Sequence, residues 1–69
     1  MTIRDLMEQG IYLQGWIKIL KWDADCENSE EVSYSSNENG ENIQEEVLDL
    51  EIKYIYAEEN DLIIEVTEE

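Results

Sequence analysis

Two runs of alternating apolar and polar residues near the end of the chain predict a β-hairpin. The apolar residues at every second position are Leu50, Ile52, Tyr54 and Tyr56 in the first run and Leu62, Ile64 and Val66 in the second. A period of two is typical of half-buried strands. The polar residues 58–61 have the length of a hairpin loop, in which Asn60 or Asp61 tolerates a left-handed backbone. Because an isolated hairpin is marginal in water, the rest of the chain must cover its apolar face.

The first residues predict a short amphipathic helix. Thr2 and Asp5 have the spacing of a capping box, with Asp in place of Glu or Gln, and apolar residues follow at helical spacing. Gly10 is placed to end the helix in a left-handed conformation. We therefore expect a helix from Ile3 to Gln9 that lies on the sheet.

Residues 16–22 are rich in β-branched and aromatic side chains and predict a strand that is apolar on both faces. Such a strand is usually central in its sheet or covered by a helix. It begins either at Trp16 or, with a bulge at Gly15, at Ile11. Residues 32–35 also alternate, and they can pair back on residues 16–22 across a charged turn.

A cluster of Ser, Asn, Glu and Gly at residues 36–40 predicts a break, after which the pattern becomes helical. Ile43 and Val47 lie at helical spacing between residues 41 and 49. One or two helical turns here would direct four acids outward: Glu41, Glu45, Glu46 and Asp49. Like charges at this spacing repel one another, so the helix needs packing or an opposite charge to hold it.

These elements predict a single α+β domain over residues 1–69, in the order helix, strand, strand, short helix, strand, strand. Short connections favour a single antiparallel sheet of about four strands with helix on one face. Most of the two Trp and four Tyr residues are expected in the core. An aromatic side chain left exposed beside acids would be a good anchor in a protein interface.

The net charge of −15 changes this picture most, because it is unevenly distributed. Residues 1–22 sum to +1, whereas residues 23–69 hold 17 acids against Lys53 alone. Such a field repels nucleic acid and anionic membranes, and it attracts basic proteins or cations over a Debye length of about 8 Å. We therefore expect a positively charged partner, no direct nucleic-acid binding and no membrane binding.

The composition argues against an enzyme. The chain has no His, which is the commonest general base and transition-metal ligand. Cys26 is the only cysteine, is surrounded by acids and is expected to be a half-exposed turn residue without catalytic function. A single cysteine without a recognisable signal peptide favours the cytosol, or the host cytosol if the chain is phage-encoded. We expect no catalytic residues, no cofactor and no dedicated metal site.

One acidic stretch invites comparison with a calcium-binding loop. The stretch has the EF-hand spacing at Asp23, Asp25 and Glu27. It departs from the motif at Asn28, which stands where Gly is required, and at Tyr34, which stands where the final Glu is required. A solvated turn is the favoured interpretation. A divalent-ion binder stays a third hypothesis, and it predicts a calcium-dependent rise in melting temperature with defined stoichiometry.

The acids themselves are the candidate binding residues. Residues on one face of a strand lie about 6.6 to 6.8 Å apart, and residues one helical turn apart lie about 5 to 6 Å apart, so rows of carboxylates approximate phosphate spacing. A basic groove that accepts DNA or RNA would accept such rows. The candidates are a helical row of Glu41, Glu45, Glu46 and Asp49, a hairpin-tip row of Glu58, Glu59 and Asp61, and an extension of Asp23, Asp25 and Glu27.

In its composition and size, the chain resembles the small acidic nucleic-acid mimics and anti-CRISPR proteins of bacteriophages and mobile elements. Residues 2–10 and 15–19 are also similar to the opening of short phage and gut-bacterial proteins. The first resemblance implies occupation of the basic channel in which a nuclease reads its target DNA. The resemblance assigns no binding residue in this chain by alignment, because these mimics have many unrelated folds.

Two functional hypotheses follow. The first is a cytosolic, non-enzymatic inhibitor that mimics nucleic acid and occupies the basic groove of a nuclease or another nucleic-acid-binding protein. The alternative is a small structural or accessory module that oligomerises through Trp16, Leu20 and Trp22 and is acidic only for solubility.

Overall fold

The fold is built on a four-stranded mixed sheet with the order β2-β1-β4-β3. The computed structural model describes residues 1–25, 27–37 and 42–68. Its elements are α1 (Ile3–Glu8), β1 (Gly15–Trp22), β2 (Ser29–Asn37), α2 (Glu45–Leu48), β3 (Glu51–Glu58) and β4 (Asp61–Thr67). The α+β class and the order helix, strand, strand, helix, strand, strand are therefore confirmed.

Local hydrogen bonds fix both ends of α1. The Asp5 amide donates to Thr2 Oγ1 at 3.1 Å and the Thr2 amide donates to Asp5 Oδ2 at 2.9 Å, which confirms the capping box. At the other end, the Gly10 amide donates to the Met7 carbonyl and the Ile11 amide to the Leu6 carbonyl. With Gly10 at φ 83°, this is a Schellman motif, in which only glycine adopts the backbone without strain.

The two central strands are parallel, which differs from the expected antiparallel sheet. β1 pairs with β2 and β3 pairs with β4 as antiparallel hairpins, but β1 and β4 run parallel, with Ile19 opposite Ile64. The cause is the crossover between the two hairpins. It connects the edge strand β2 to the opposite edge strand β3, and β3 runs in the same direction as β2. β4, which turns back from β3, must then run parallel to β1.

The core lies between one face of the sheet and the two helices. Its buried members are Ile3 from α1, Ile43, Val47 and Leu48 from the α2 region, Ile17 and Ile19 from β1, and Ile64 and Val66 from β4. All of them are aliphatic, so the expectation that most aromatic residues lie in the core is wrong. Neither described helix has the length and hydrophobicity that a membrane-spanning helix requires.

Burial and one opposite charge hold the acidic helix α2 in place. Val47 and Leu48 are buried, while the Arg4 guanidinium donates to Asp49 Oδ1 at 2.6 Å and to Asp49 Oδ2 at 3.3 Å. This hydrogen-bonded pair lowers the pKa of the Asp49 carboxyl. Because such surface pairs contribute little, the packing of Val47 and Leu48 supplies most of the stabilisation.

Two β-bulges decide which side chains reach each face. The pairing register skips Val32 of β2 between the pairs Ile19–Ser33 and Leu20–Glu31, and it skips Lys53 of β3 between Ile52–Val66 and Tyr54–Glu65. One extra residue reverses the alternation of a strand. Ile52 therefore packs on the core, while Tyr54 and Tyr56 lie on the opposite face. Gly15 carries no bulge and begins β1 with φ 93°.

Candidate functional site

The face of the sheet opposite the helices carries most of the aromatic side chains, and we call it the aromatic face. Its members are Trp16 and Trp22 from β1, Tyr34 from β2, and Tyr54 and Tyr56 from β3. Trp16 is 51% exposed and Tyr54 is 58% exposed, whereas Trp22 is half-buried. Large aromatic surfaces in water are unfavourable unless another molecule covers them, so this face is a candidate binding surface.

Contacts between side chains order the aromatic face. The rings of Trp16 and Tyr34 lie 5.4 Å apart between centroids with an interplanar angle of 46°. Lys18 Nζ lies 5.2 Å from the centre of the Tyr34 ring, and Lys53 Nζ lies 5.4 Å from the centre of the Trp22 ring. Both are cation–π distances, so this surface already holds cations against its rings.

Glu65 links two of these aromatic residues from the centre of the sheet. Its Oε1 accepts a hydrogen bond of 2.7 Å from Trp22 Nε1, and its Oε2 accepts one of 2.6 Å from the Tyr56 hydroxyl. Both oxygens of one carboxylate are thus occupied by donors from flanking strands. This arrangement fixes the orientation of Trp22 and Tyr56, and the hydrogen bond raises the pKa of Tyr56 to about 12.

This raised pKa predicts how stability depends on alkaline pH. Tyr56 has an ordinary pKa of 10.0 and about 12 in the folded protein, so its protonated hydroxyl favours folding. The stabilisation is complete below the unfolded pKa and is lost as the pH rises through the folded one. We expect the wild type to lose more stability between about pH 10 and 12 than Tyr56→Phe does. Urea unfolding across this range measures the difference, and parallel curves would contradict the hydrogen bond.

The predicted hairpin-tip acids lie beside the aromatic face, and we call Glu58, Glu59 and Asp61 the tip acids. Glu58 pairs with Asp61 across a turn of two residues, Glu59 and Asn60. Asp61 Oδ2 accepts a hydrogen bond of 3.0 Å from the Tyr34 hydroxyl, which raises the pKa of Tyr34. The tip therefore reaches across the start of β1 to β2.

Glu59 holds an unfavourable backbone at this tip. Its φ is 56°, and among the described residues it is the one non-glycine residue with a positive φ. A two-residue hairpin turn needs a positive φ at its first position, where Gly, Asn or Asp is favoured. The sequence predicted the loop, but the left-handed residue is Glu59 and not Asn60 or Asp61.

The other predicted acids point elsewhere. Glu45, Glu46 and Asp49 lie exposed on or next to α2, which covers the opposite face, and Glu41 lies outside the described residues. Asp49 is paired with Arg4. Glu45, Glu46 and Asp49 therefore do not form one continuous surface with the tip acids.

Asp23, Asp25 and Glu27 lie in the turn between β1 and β2, at the far end of the sheet from the tip acids. Eight residues of β1 separate the two ends, which is about 25 Å at ~3.3 Å per residue. Asp23 Oδ1 accepts a hydrogen bond of 2.9 Å from the Glu27 amide, and this bond lowers the pKa of Asp23. These acids do not extend the tip row, and Cys26 lies outside the described residues.

In the described ranges, no three acidic or cysteine side chains converge to form a metal site. Tyr34 and Glu65 were not among the predicted binding residues, and Trp16 was predicted only as a contact of the oligomeric module. A signal for Glu65 was present, because one carboxylate interrupts the otherwise apolar run 62–66.

Comparison with family models, curated proteins and solved structures finds no match to this chain.

Proposed function

We propose that this protein is a non-enzymatic inhibitor that acts in the cytosol and occupies the basic groove of a nucleic-acid-binding protein. A CRISPR nuclease is one such target. The tip acids and the neighbouring aromatic face form the contact surface. The observation that carries this proposal is the placement of exposed aromatic rings directly beside carboxylates in a chain of net charge −15.

The charge supports a basic partner because the chain's own cations do little to neutralise it. Among the described residues, Arg4 pairs with Asp49, Lys18 with Glu31 and Lys21 with Glu68. The chain amino group pairs with Glu51. With 19 acids against four cationic side chains, the chain keeps a net charge of −15, and the resulting field attracts positively charged surfaces.

The strained tip supports a role for its acids in binding. A non-glycine residue in the left-handed region costs about 1 to 2 kcal/mol relative to ordinary backbone. Glu59 keeps this conformation next to two further acids, Glu58 and Asp61, whose charges repel it. Strain of this kind persists at functional sites more often than elsewhere.

The mixture of rings and carboxylates supports mimicry of nucleic acid in particular. Proteins that bind single strands combine a positive groove for phosphates with aromatic or cationic platforms for bases. The surface of this protein presents the complementary pair, with Asp61 as the anion and Tyr34 and Trp16 as flat rings beside it. A groove built for phosphate and base can therefore accept it.

A competition experiment tests the proposal. Guide-loaded CRISPR nucleases and other purified DNA-binding nucleases are titrated with this protein in the presence of fluorescent target DNA. We expect displacement of the DNA, with an apparent affinity at least about tenfold weaker at 200 mM than at 50 mM salt. Unchanged affinity at the two salt concentrations, or no displacement from any of the nucleases, would overturn the mimicry.

A pair of charge-matched variants locates the surface. Glu59→Gln/Asp61→Asn and Glu45→Gln/Glu46→Gln each remove two negative charges, the first from the tip and the second from α2. We expect the tip variant to compete at least about tenfold less well and the α2 variant to change by less than about threefold. Equal losses of competition in the two variants would show that binding depends on the total charge and not on the position of the tip acids.

The exposed Trp16 and half-buried Leu20 and Trp22 favour a second candidate, the oligomeric accessory module. In this case a second copy would cover the aromatic face. Sedimentation separates the two functions, because an oligomer held by apolar contacts keeps its mass when the salt concentration rises. A monomer at both salt concentrations would exclude the accessory module in this form.

A further inference from the structure

A shallow notch opens at the end of the sheet, between the start of β1 and the hairpin tip. Its volume is about 260 Å³, and Trp16, Gln14, Glu59, Asp61 and Leu62 are among its lining residues. We call it the Trp16 notch. It combines an exposed indole ring with two carboxylates, which are the two kinds of group that attract a cation.

A neighbouring cavity has a cationic side chain of this protein in its lining. This second cavity measures about 220 Å³, and it is lined by the tip acids, Ile63 and Lys18. The Lys18 ammonium also lies over the Tyr34 ring, at 5.2 Å from its centre. One cationic side chain therefore contacts an aromatic ring beside Glu59 and Asp61 on this side of the tip.

No side chain of the described residues supplies a cation to the Trp16 notch. Arg4 and Lys21 are paired with Asp49 and Glu68, and Lys53 lies over the Trp22 ring. Glu59 and Asp61 line both cavities, and among the described residues a cationic side chain lines only the second of the two.

We infer that the Trp16 notch receives an arginine side chain from the basic partner. This inference rests on the proposed function and names the contact within that surface. The guanidinium stacks on the Trp16 indole, and its forked N–H groups donate to the carboxylates of Glu59 and Asp61. Charge complementarity selects this occupant over a second copy of the chain, which would bring another charge of −15.

Arginine fits the notch better than lysine does for a geometric reason. A planar guanidinium stacks on a flat ring and still donates in its own plane to carboxylates at the side. An ammonium is a strongly hydrated point charge and gains less from such a shape. The notch therefore predicts a preference for arginine, which electrostatic attraction alone does not provide.

Two peptides of equal charge, deca-arginine and deca-lysine, provide the test. Their affinities for the full chain are measured by calorimetry at about 50 mM salt, where electrostatic attraction is still strong. We expect deca-arginine to bind the wild type about 3- to 10-fold more tightly than deca-lysine. Trp16→Leu should reduce this ratio to nearly one by weakening the arginine peptide only. Tyr12→Leu removes another exposed aromatic ring outside the notch and should leave the ratio unchanged.

Circular dichroism verifies that both variants fold before they are compared. Equal binding of the two peptides to the wild type, with affinity falling as salt rises, would overturn the arginine notch while leaving the electrostatic function standing. A ratio unchanged in Trp16→Leu would overturn it as well. Failure of both peptides to bind at low salt would overturn the notch and the proposed function together.

Discussion

Replacing Ile64 with alanine is expected to remove most of the stability of the fold. Ile64 is 0% exposed and lies at the centre of the sheet, opposite Ile19 on one side and Ile55 on the other. Truncation of a buried isoleucine to alanine costs about 2 to 5 kcal/mol. A chain of 69 residues has a free energy of unfolding of only about 3 to 10 kcal/mol. Urea unfolding followed by tryptophan fluorescence should show a largely unfolded variant or a strongly lowered midpoint.

The same substitution one strand away is the control. Ile55 pairs directly with Ile64 but lies on the edge strand β3 and is 45% exposed. We expect Ile55→Ala to cost less than about 1 kcal/mol, because half of the side chain already contacts water. Similar losses for the two variants would contradict the position of the core described above.

Features that depend on neighbouring residues in the chain could be predicted from the sequence. The capping box of Thr2 and Asp5, the helix end at Gly10 and both hairpins need contacts within one element or between adjacent ones. The need of α2 for packing or an opposite charge was also predicted, from the four acids in residues 41–49. Val47, Leu48 and Arg4 supply both.

The parallel pairing of β1 with β4 could not be derived from local signals. It depends on the crossover from β2 to β3, which joins residues far apart in space. One sign was nevertheless present: residues 62–66 are apolar except for Glu65, and residues 16–22 are apolar except for Lys18 and Lys21, a pattern close to that of parallel strands buried on both faces. Residues 16–22 were predicted to be either central or covered by a helix, and the structure places them at the centre, but the hairpin pattern favoured a wholly antiparallel sheet.

The predicted burial of Tyr54 and Tyr56 with Ile52 failed because of the bulge at Lys53. A regular alternation would have put Tyr54 and Tyr56 on the same face as Ile52. No residue near Lys53 is of a type that indicates a bulge from the sequence alone. Both tyrosines therefore lie on the helix-free face, where the Tyr56 hydroxyl donates a hydrogen bond to Glu65.

The candidate acids show a similar limit. Their exposure follows from composition, but their relative positions depend on the sheet order. The tip acids and the turn at residues 23–28 are at opposite ends of β1, and α2 lies on the helical face. Sequence spacing predicts rows within an element, whereas only the tertiary fold shows that these three groups point in different directions.

Glu65 is the residue whose loss should most disturb the aromatic face. Substitution by leucine keeps a similar volume but removes both acceptors, leaving Trp22 Nε1 and the Tyr56 hydroxyl without their partner. Hydrogen bonds to a charged group are worth about 1.5 to 3 kcal/mol, and partial exposure reduces this value. We expect Glu65→Leu to lower the free energy of unfolding by about 1 to 3 kcal/mol.

Glu65→Gln separates hydrogen bonding from charge. The glutamine carbonyl can still accept from Trp22, and its amide can donate to the oxygen of Tyr56, so we expect a smaller loss than in Glu65→Leu. A double-mutant cycle with Trp22→Phe should give a coupling of about 1 kcal/mol for the indole bond. Because neither variant presents a carboxylate to Tyr56, both should also lose the extra destabilisation between about pH 10 and 12. A more stable Glu65→Leu protein would mean that an apolar strand is preferred here and that the two hydrogen bonds do not hold the face.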